Sequence, residues 1–184
     1  MRRLLKICAL LALAEFAQAA VLTTGEAVVR NGVSVQGVYI QEVKMTGDHG
    51  AHGAHGAHGQ GHGAAEMPGM HLEAAITMAE AGHGFPVGSW VPYLNVRYTL
   101  AKKGGDWTAE GPLVPMLAND GPHYGANVSM PGPGKYVLTF HVAPPSDDVF
   151  PRHFDRETGV GPWLGPFEAS WEFTYVGIGK KGGY

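Results

Sequence analysis

The chain has 184 residues, 45% of them hydrophobic and 16% charged, with 13 Lys and Arg set against 16 Asp and Glu. A net charge of −3 with neutral histidines offers no basic footprint, which excludes nucleic acid as a partner. One cysteine, Cys8, excludes an internal disulfide framework.

Residues 1–19 read as a secretory signal peptide. Arg2, Arg3 and Lys6 form a positive start, residues 7–14 an apolar run too short to span a bilayer, and Ala17-Gln18-Ala19 a small-x-small cleavage site. Cleavage after Ala19 removes Cys8, three basic residues and Glu15, leaving a cysteine-free chain of 165 residues and charge −5. No other apolar stretch is long enough for a span. The expected location is therefore the periplasm, with no stable membrane anchor, and residues 20–184 fit one domain with its own core.

The recurring pattern along the rest is period-two alternation. Strands are expected at 28–29, 33–44 and 72–78. Leu94, Val96, Tyr98 and Leu100 alternate with Asn95, Arg97 and Thr99, and a further strand is expected at 113–117. Tyr136, Leu138, Phe140 and Val142 alternate with Thr139 and His141, and Trp171, Phe173 and Tyr175 with Glu172 and Thr174. Gly104-Gly105, Gly121-Pro122, Pro131-Gly132-Pro133-Gly134 and Pro144-Pro145 punctuate the gaps, and no long amphipathic helix stands out. Seven or so strands with turn-rich joints predict an all-β fold, an antiparallel β-sandwich of immunoglobulin type.

Between the 33–44 and 72–78 strands lies a low-complexity run, 48–63, that repeats His-Gly-Ala. It carries His49, His52, His55 and His58, with His62 after them, and has little apolar surface to bury, so it is expected to form a mobile loop. Such imidazoles chelate Cu(II), Ni(II) and Zn(II), less well as pH falls through about 6.5. It is either a metal collector or a tolerated insertion.

The remaining candidate ligands are scattered. His71 and Glu73 are two apart in a strand and project from one face, away from Leu72, Ala74, Ile76 and Met78. Met116 ends an apolar run. His123 follows Gly121-Pro122, read as a turn that presents the imidazole at a loop mouth. His153 sits in a polar loop between Phe150 and Trp163, and Asp120 is either an acceptor that orients an imidazole or a plain turn residue. Each has an ordinary alternative: a solvated face for His71, core filler for Met116, a backbone-bonded turn for His123, a surface position for His153. Imidazole and thioether together suit copper better than calcium or magnesium. No nucleophile elbow, phosphate loop or dinucleotide fingerprint is present.

Met70-His71-Leu72-Glu73-Ala74, Gly84-Phe85-Pro86, Trp90-Val91-Pro92-Tyr93-Leu94, Asp120-Gly121-Pro122-His123-Tyr124-Gly125-Ala126-Asn127 and Glu157-Thr158-Gly159-Val160-Gly161 carry a family resemblance. They resemble the periplasmic copper-binding proteins associated with high-affinity ferrous iron uptake, a family also known as Fe2+/Pb2+ permease companions and as bacterial membrane antigens. The resemblance implies a β-sandwich homodimer and a copper site made by His71, Met116, His123 and His153, with Glu73 beside it and the last histidine near the dimer interface. It further implies iron as a second metal, an inner-membrane iron permease as partner, and a redox role at copper as the one activity to consider. The rival readings are a periplasmic copper or zinc buffer, or metal-resistance chaperone, that works through the histidine-rich run, and a surface antigen whose metal is structural.

Overall fold

The computed structural model describes residues 21–46 and 69–177. The expected signal peptide, residues 1–19, and the run 48–63, with His49, His52, His55, His58 and His62, lie outside the described residues.

β3 (Val33–Gln41) and β4 (Met70–Met78) pair antiparallel over their full length, Val33 opposite Met78 and Gln41 opposite Met70. β1 (Leu22–Thr23) and β2 (Val28–Arg30) add to the outer side of β3. On its other side β4 pairs with β7 (Gly121–Val128), and β7 with the second half of β6 (Thr108–Ala118). The first half of β6 pairs with β5 (Asn95–Lys102), which continues through β8 (Gly134–Ala143) to β9 (Phe167–Tyr175).

β6 therefore belongs to both halves of one continuous nine-stranded antiparallel sheet. Its partner changes between Leu113, opposite Val96, and Val114, opposite Gly125. Pro112 and Pro115 bracket that change, and each lacks the N–H that an uninterrupted ladder would use. The sheet curls so that β3 faces β8 and β9. Tyr39 packs 5.4 Å from Phe173 and 5.8 Å from Tyr175, centroid to centroid, and the Trp171 indole N–H donates to the Glu26 carbonyl at 2.7 Å. Alternate residues of each half, such as Val33, Val35, Leu72, Ala74 and Ile76 against Tyr98, Leu100, Leu138 and Phe140, fill the space between.

The all-β antiparallel architecture agrees with the sequence pattern, and no helix occurs among the described residues. Boundaries differ most in three places. The strand expected at 33–44 ends at Gln41, the one expected at 113–117 starts at Thr108, and residues 121–128, expected to begin as a turn, form β7. Gly121, Pro122 and Gly125 have little strand propensity, but Pro122 lies beyond the reach of β4, where its missing N–H interrupts no ladder on that side. The chain reverses two residues earlier, at Asn119-Asp120.

Tyr124 of β7 fastens this unusual strand to the body of the protein. Fully buried and packed on Trp90, its hydroxyl donates to the Val91 carbonyl at 2.7 Å and accepts the Leu94 N–H at 3.0 Å. Tyr124→Phe leaves two buried backbone groups without partners and should cost about 2–4 kcal/mol, read as a lower midpoint in urea unfolding. An unchanged midpoint would show that the hydroxyl contributes nothing.

Candidate metal centre

Residues directly opposite in an antiparallel pair share a face, and so do residues two apart in a strand. His71 lies opposite Asn127, Glu73 opposite Gly125, Gly125 opposite Val114, and His123 opposite Met116. The register thus gathers His71, Glu73, His123, Gly125, Asn127, Val114 and Met116 on one face of β4, β7 and β6. It is the face turned away from the core residues Leu72, Ala74 and Ile76. A cavity of about 530 Å³ opens over it, with His71, Glu73, Met116 and His123 in its wall beside Ile40 and Met45.

Although it points away from the core, this face is not solvated. His71 is 1% exposed and His123 6%. Burial holds the His71 imidazole below its ordinary pKa, aided by the neighbouring His123, while the hydrogen bond to Asn127 acts in the opposite sense. Burial likewise lifts the Glu73 carboxyl above the usual carboxylate range. The nearby His123 works against that shift and the charge of Asp120 adds to it. The shift leaves His71 neutral, the form of imidazole that ligates a metal, beside a carboxyl whose ionised form a bound cation would stabilise.

The three donor atoms form a nearly equilateral triangle. His71 Nε2 is 3.5 Å from His123 Nε2, and Glu73 Oε1 is 3.7 and 3.9 Å from the two nitrogens. These separations are too long for good hydrogen bonds, so strand register, not mutual bonding, holds the groups in place. The centre of such a triangle lies about 2.1 Å from each corner, the bond length that nitrogen and oxygen donors adopt around a first-row metal. The residues therefore fit an ion. Gly125 makes the room: a Cβ there would stand 2.8 Å from His71 Nε2 and 3.2 Å from His123 Cδ2.

Asn127 fixes which His71 nitrogen faces the triangle. Its amide Nδ2 donates to the Val43 carbonyl at 2.8 Å, so its Oδ1 is the atom that accepts the Val43 N–H at 3.3 Å. The same Oδ1 is 2.9 Å from His71 Nδ1. An acceptor there requires Nδ1 to carry the proton, which leaves the Nε2 lone pair directed at His123 and Glu73. Backbone orients amide, amide selects tautomer, and tautomer presents the ligand, an outer-sphere arrangement typical of metal-binding histidines.

Of the residues singled out in the sequence, His71, Glu73, Met116 and His123 come together here. His123 does so from a strand instead of a loop mouth. His153 stays apart: its ring is 74% exposed and its Nδ1 bonds Thr158 Oγ1 at 2.8 Å, in a loop that one chain does not bring to the cavity. Asp120 sits in the hairpin turn, exposed and close enough for its charge to act on Glu73. His141 stands on the open face of β8 between Glu168 and Thr99, and His83 bonds the Pro162 carbonyl. Asn127, Gly125 and Met45 were not singled out. The only sequence signal for the first two was their place in the motif that contains His123.

In the ¹⁵N spectrum of the apoprotein, His71 should be the Nδ1–H tautomer at neutral pH. Asn127→Ala should lower copper affinity about 10–100-fold without changing stoichiometry, measured by competition with a chelator. An Nε2–H tautomer in the wild type would show that Asn127 does not orient the His71 ring.

The Fe2+ transport protein family model matches residues 18–177. The chain is 43% identical over 178 residues to a UPF0423 protein of Brucella abortus, covering 95% of this chain and 92% of that one. Among solved structures it is similar to a copper-bound variant of FetP from uropathogenic Escherichia coli strain F11, with TM-score 0.74 and 41% identity over 89% of this chain and 97% of that one. It is likewise similar to copper-reconstituted P19 of Campylobacter jejuni, with TM-score 0.73 and 36% identity over 88% and 99%. The match spans both strands that carry the imidazoles, and the chain belongs to the Fe2+ transport protein family.

Proposed function

We propose that this chain is a periplasmic copper-binding protein that serves high-affinity Fe2+ uptake, working as a homodimer on a sandwich of immunoglobulin type. The observation that carries the reading is the convergence of His71, His123 and Glu73 into a triangle of ion-sized dimensions, with Met116 paired opposite His123. The copper-bound state of FetP and P19 supports copper as the metal.

Within this reading His71, His123 and Met116 bind copper, and the His153 of a second copy of the chain completes the set. The exposure of that ring supports the assignment, because Nδ1 is held by Thr158 and Nε2 has no partner among the described residues. Glu73 is the third corner of the copper site and, as the harder donor, the group at which iron, the cargo, would be received. Bound copper would supply a one-electron couple able to take an electron from Fe(II). The chain's residues keep the two ions adjacent, exclude bulk water by burial, and present iron for delivery to an inner-membrane permease.

The test has two parts. The purified protein should hold one tight copper per chain that His123→Ala and Met116→Ala each weaken at least tenfold. In cells, a deletion strain should lose high-affinity iron uptake and regain it with the wild-type gene but not with His123→Ala. Full rescue by His123→Ala would overturn the reading. Unchanged iron uptake with altered copper tolerance would favour a metal buffer instead.

A further inference from the structure

The cavity wall contains a second thioether that the reading above does not use. Met45 lies on the segment that follows β3, half-buried, and lines the same cavity as His71, Glu73, Met116 and His123. That segment is not a free strap. Val43, two residues earlier, gives both its N–H and its carbonyl to the Asn127 side chain, which in turn holds His71. One amide therefore sets both the metal-facing nitrogen of His71 and the position of the backbone that carries Met45.

We propose that Met45 is a second sulfur ligand, engaged when the bound copper is Cu(I). This rests on the reading of the cavity as a copper site and adds a specificity-determining residue to it. The argument is one of donor chemistry. A thioether is neutral and soft, so it stabilises monovalent copper more than divalent copper or iron. The exposed Lys44 ammonium at the cavity rim works in the same direction, since it repels a dication more than a monocation. Met116 alone gives one sulfur among nitrogen and oxygen donors, whereas Met45 and Met116 together give two thioethers on the wall of one cavity. Methionine has three rotatable bonds, so a thioether on the cavity wall adjusts its position at little strain. The anchor at Val43 limits the search to that side chain.

The experiment loads the mature protein with half an equivalent of Cu(I), so that the tightest site fills first, and counts sulfur neighbours by X-ray absorption. Affinity is read in parallel by competition with a chromogenic Cu(I) chelator. Met45→Leu conserves volume and apolar character, and an unchanged melting curve of the apoprotein checks that it folds. The expected result is two sulfurs in the wild type and one in Met45→Leu, with Cu(I) affinity about tenfold lower or less still, a tenfold step corresponding to about 1.4 kcal/mol. Equal sulfur count and affinity in Met45→Leu, with a loss in Met116→Leu, would overturn the Met45 assignment and leave the copper site standing. No sulfur around Cu(I) in the wild type, and no effect of Met116→Leu, would overturn the site itself together with this inference.

Discussion

The arrangement depends on the desolvation of two imidazoles on the outer face of a sheet. An outward-facing His-x-Glu pair on a strand is ordinarily wet. Here the neighbouring strands, the hairpin of β6 and β7 and the segment after β3 close over it, and His71 is left with 1% of its surface exposed. A buried ionisable cluster is unfavourable unless something compensates it. Asn127 does so for one nitrogen of His71. The other nitrogen, the facing nitrogen of His123 and the Glu73 carboxylate stand 3.5–3.9 Å from one another, long for hydrogen bonds. A cation placed among these three atoms would compensate all of them at once, which is what suits the cluster to an ion.

The same constraint explains the unusual sequence of β7. A strand rich in glycine with a proline near its start is poor strand material, and it is stable here because Tyr124 ties it to Val91 and Leu94 while β4 and β6 pair with it on either side. Each weak residue has a local use. Gly125 leaves the volume that His71 Nε2 and an ion require, and Pro122 sits where β4 does not reach. Propensity was sacrificed where the site needs space, and recovered through buried hydrogen bonds one residue away.

This determines how much was legible in the sequence. Strands whose apolar residues alternate, such as β4, β5, β8 and β9, declare themselves because one face is core and the other is not. The motif around His123 was readable as a signature but not as a strand, since Gly121-Pro122 mimics a turn and the true reversal at Asn119-Asp120 lies two residues away. The pairing of Met116 with His123, and of His71 with Asn127, is a matter of register, which spacing along one chain does not encode. Asn127 and Met45 were invisible for a further reason. One acts by holding a ligand and the other by lining a cavity, and both roles exist only once β3, β4 and β7 are side by side.

Asn127 also ties the wall of the cavity to one of the imidazoles in it. His71, Glu73, His123 and Met116 are all strand residues, placed by the register of β4, β6 and β7. Val43 and Met45 are not. They lie beyond the end of β3, held at Val43 by the two hydrogen bonds to a single amide. The same amide oxygen faces His71 Nδ1, so the position of the cavity wall that carries Met45 and the orientation of the His71 ring are set by one side chain.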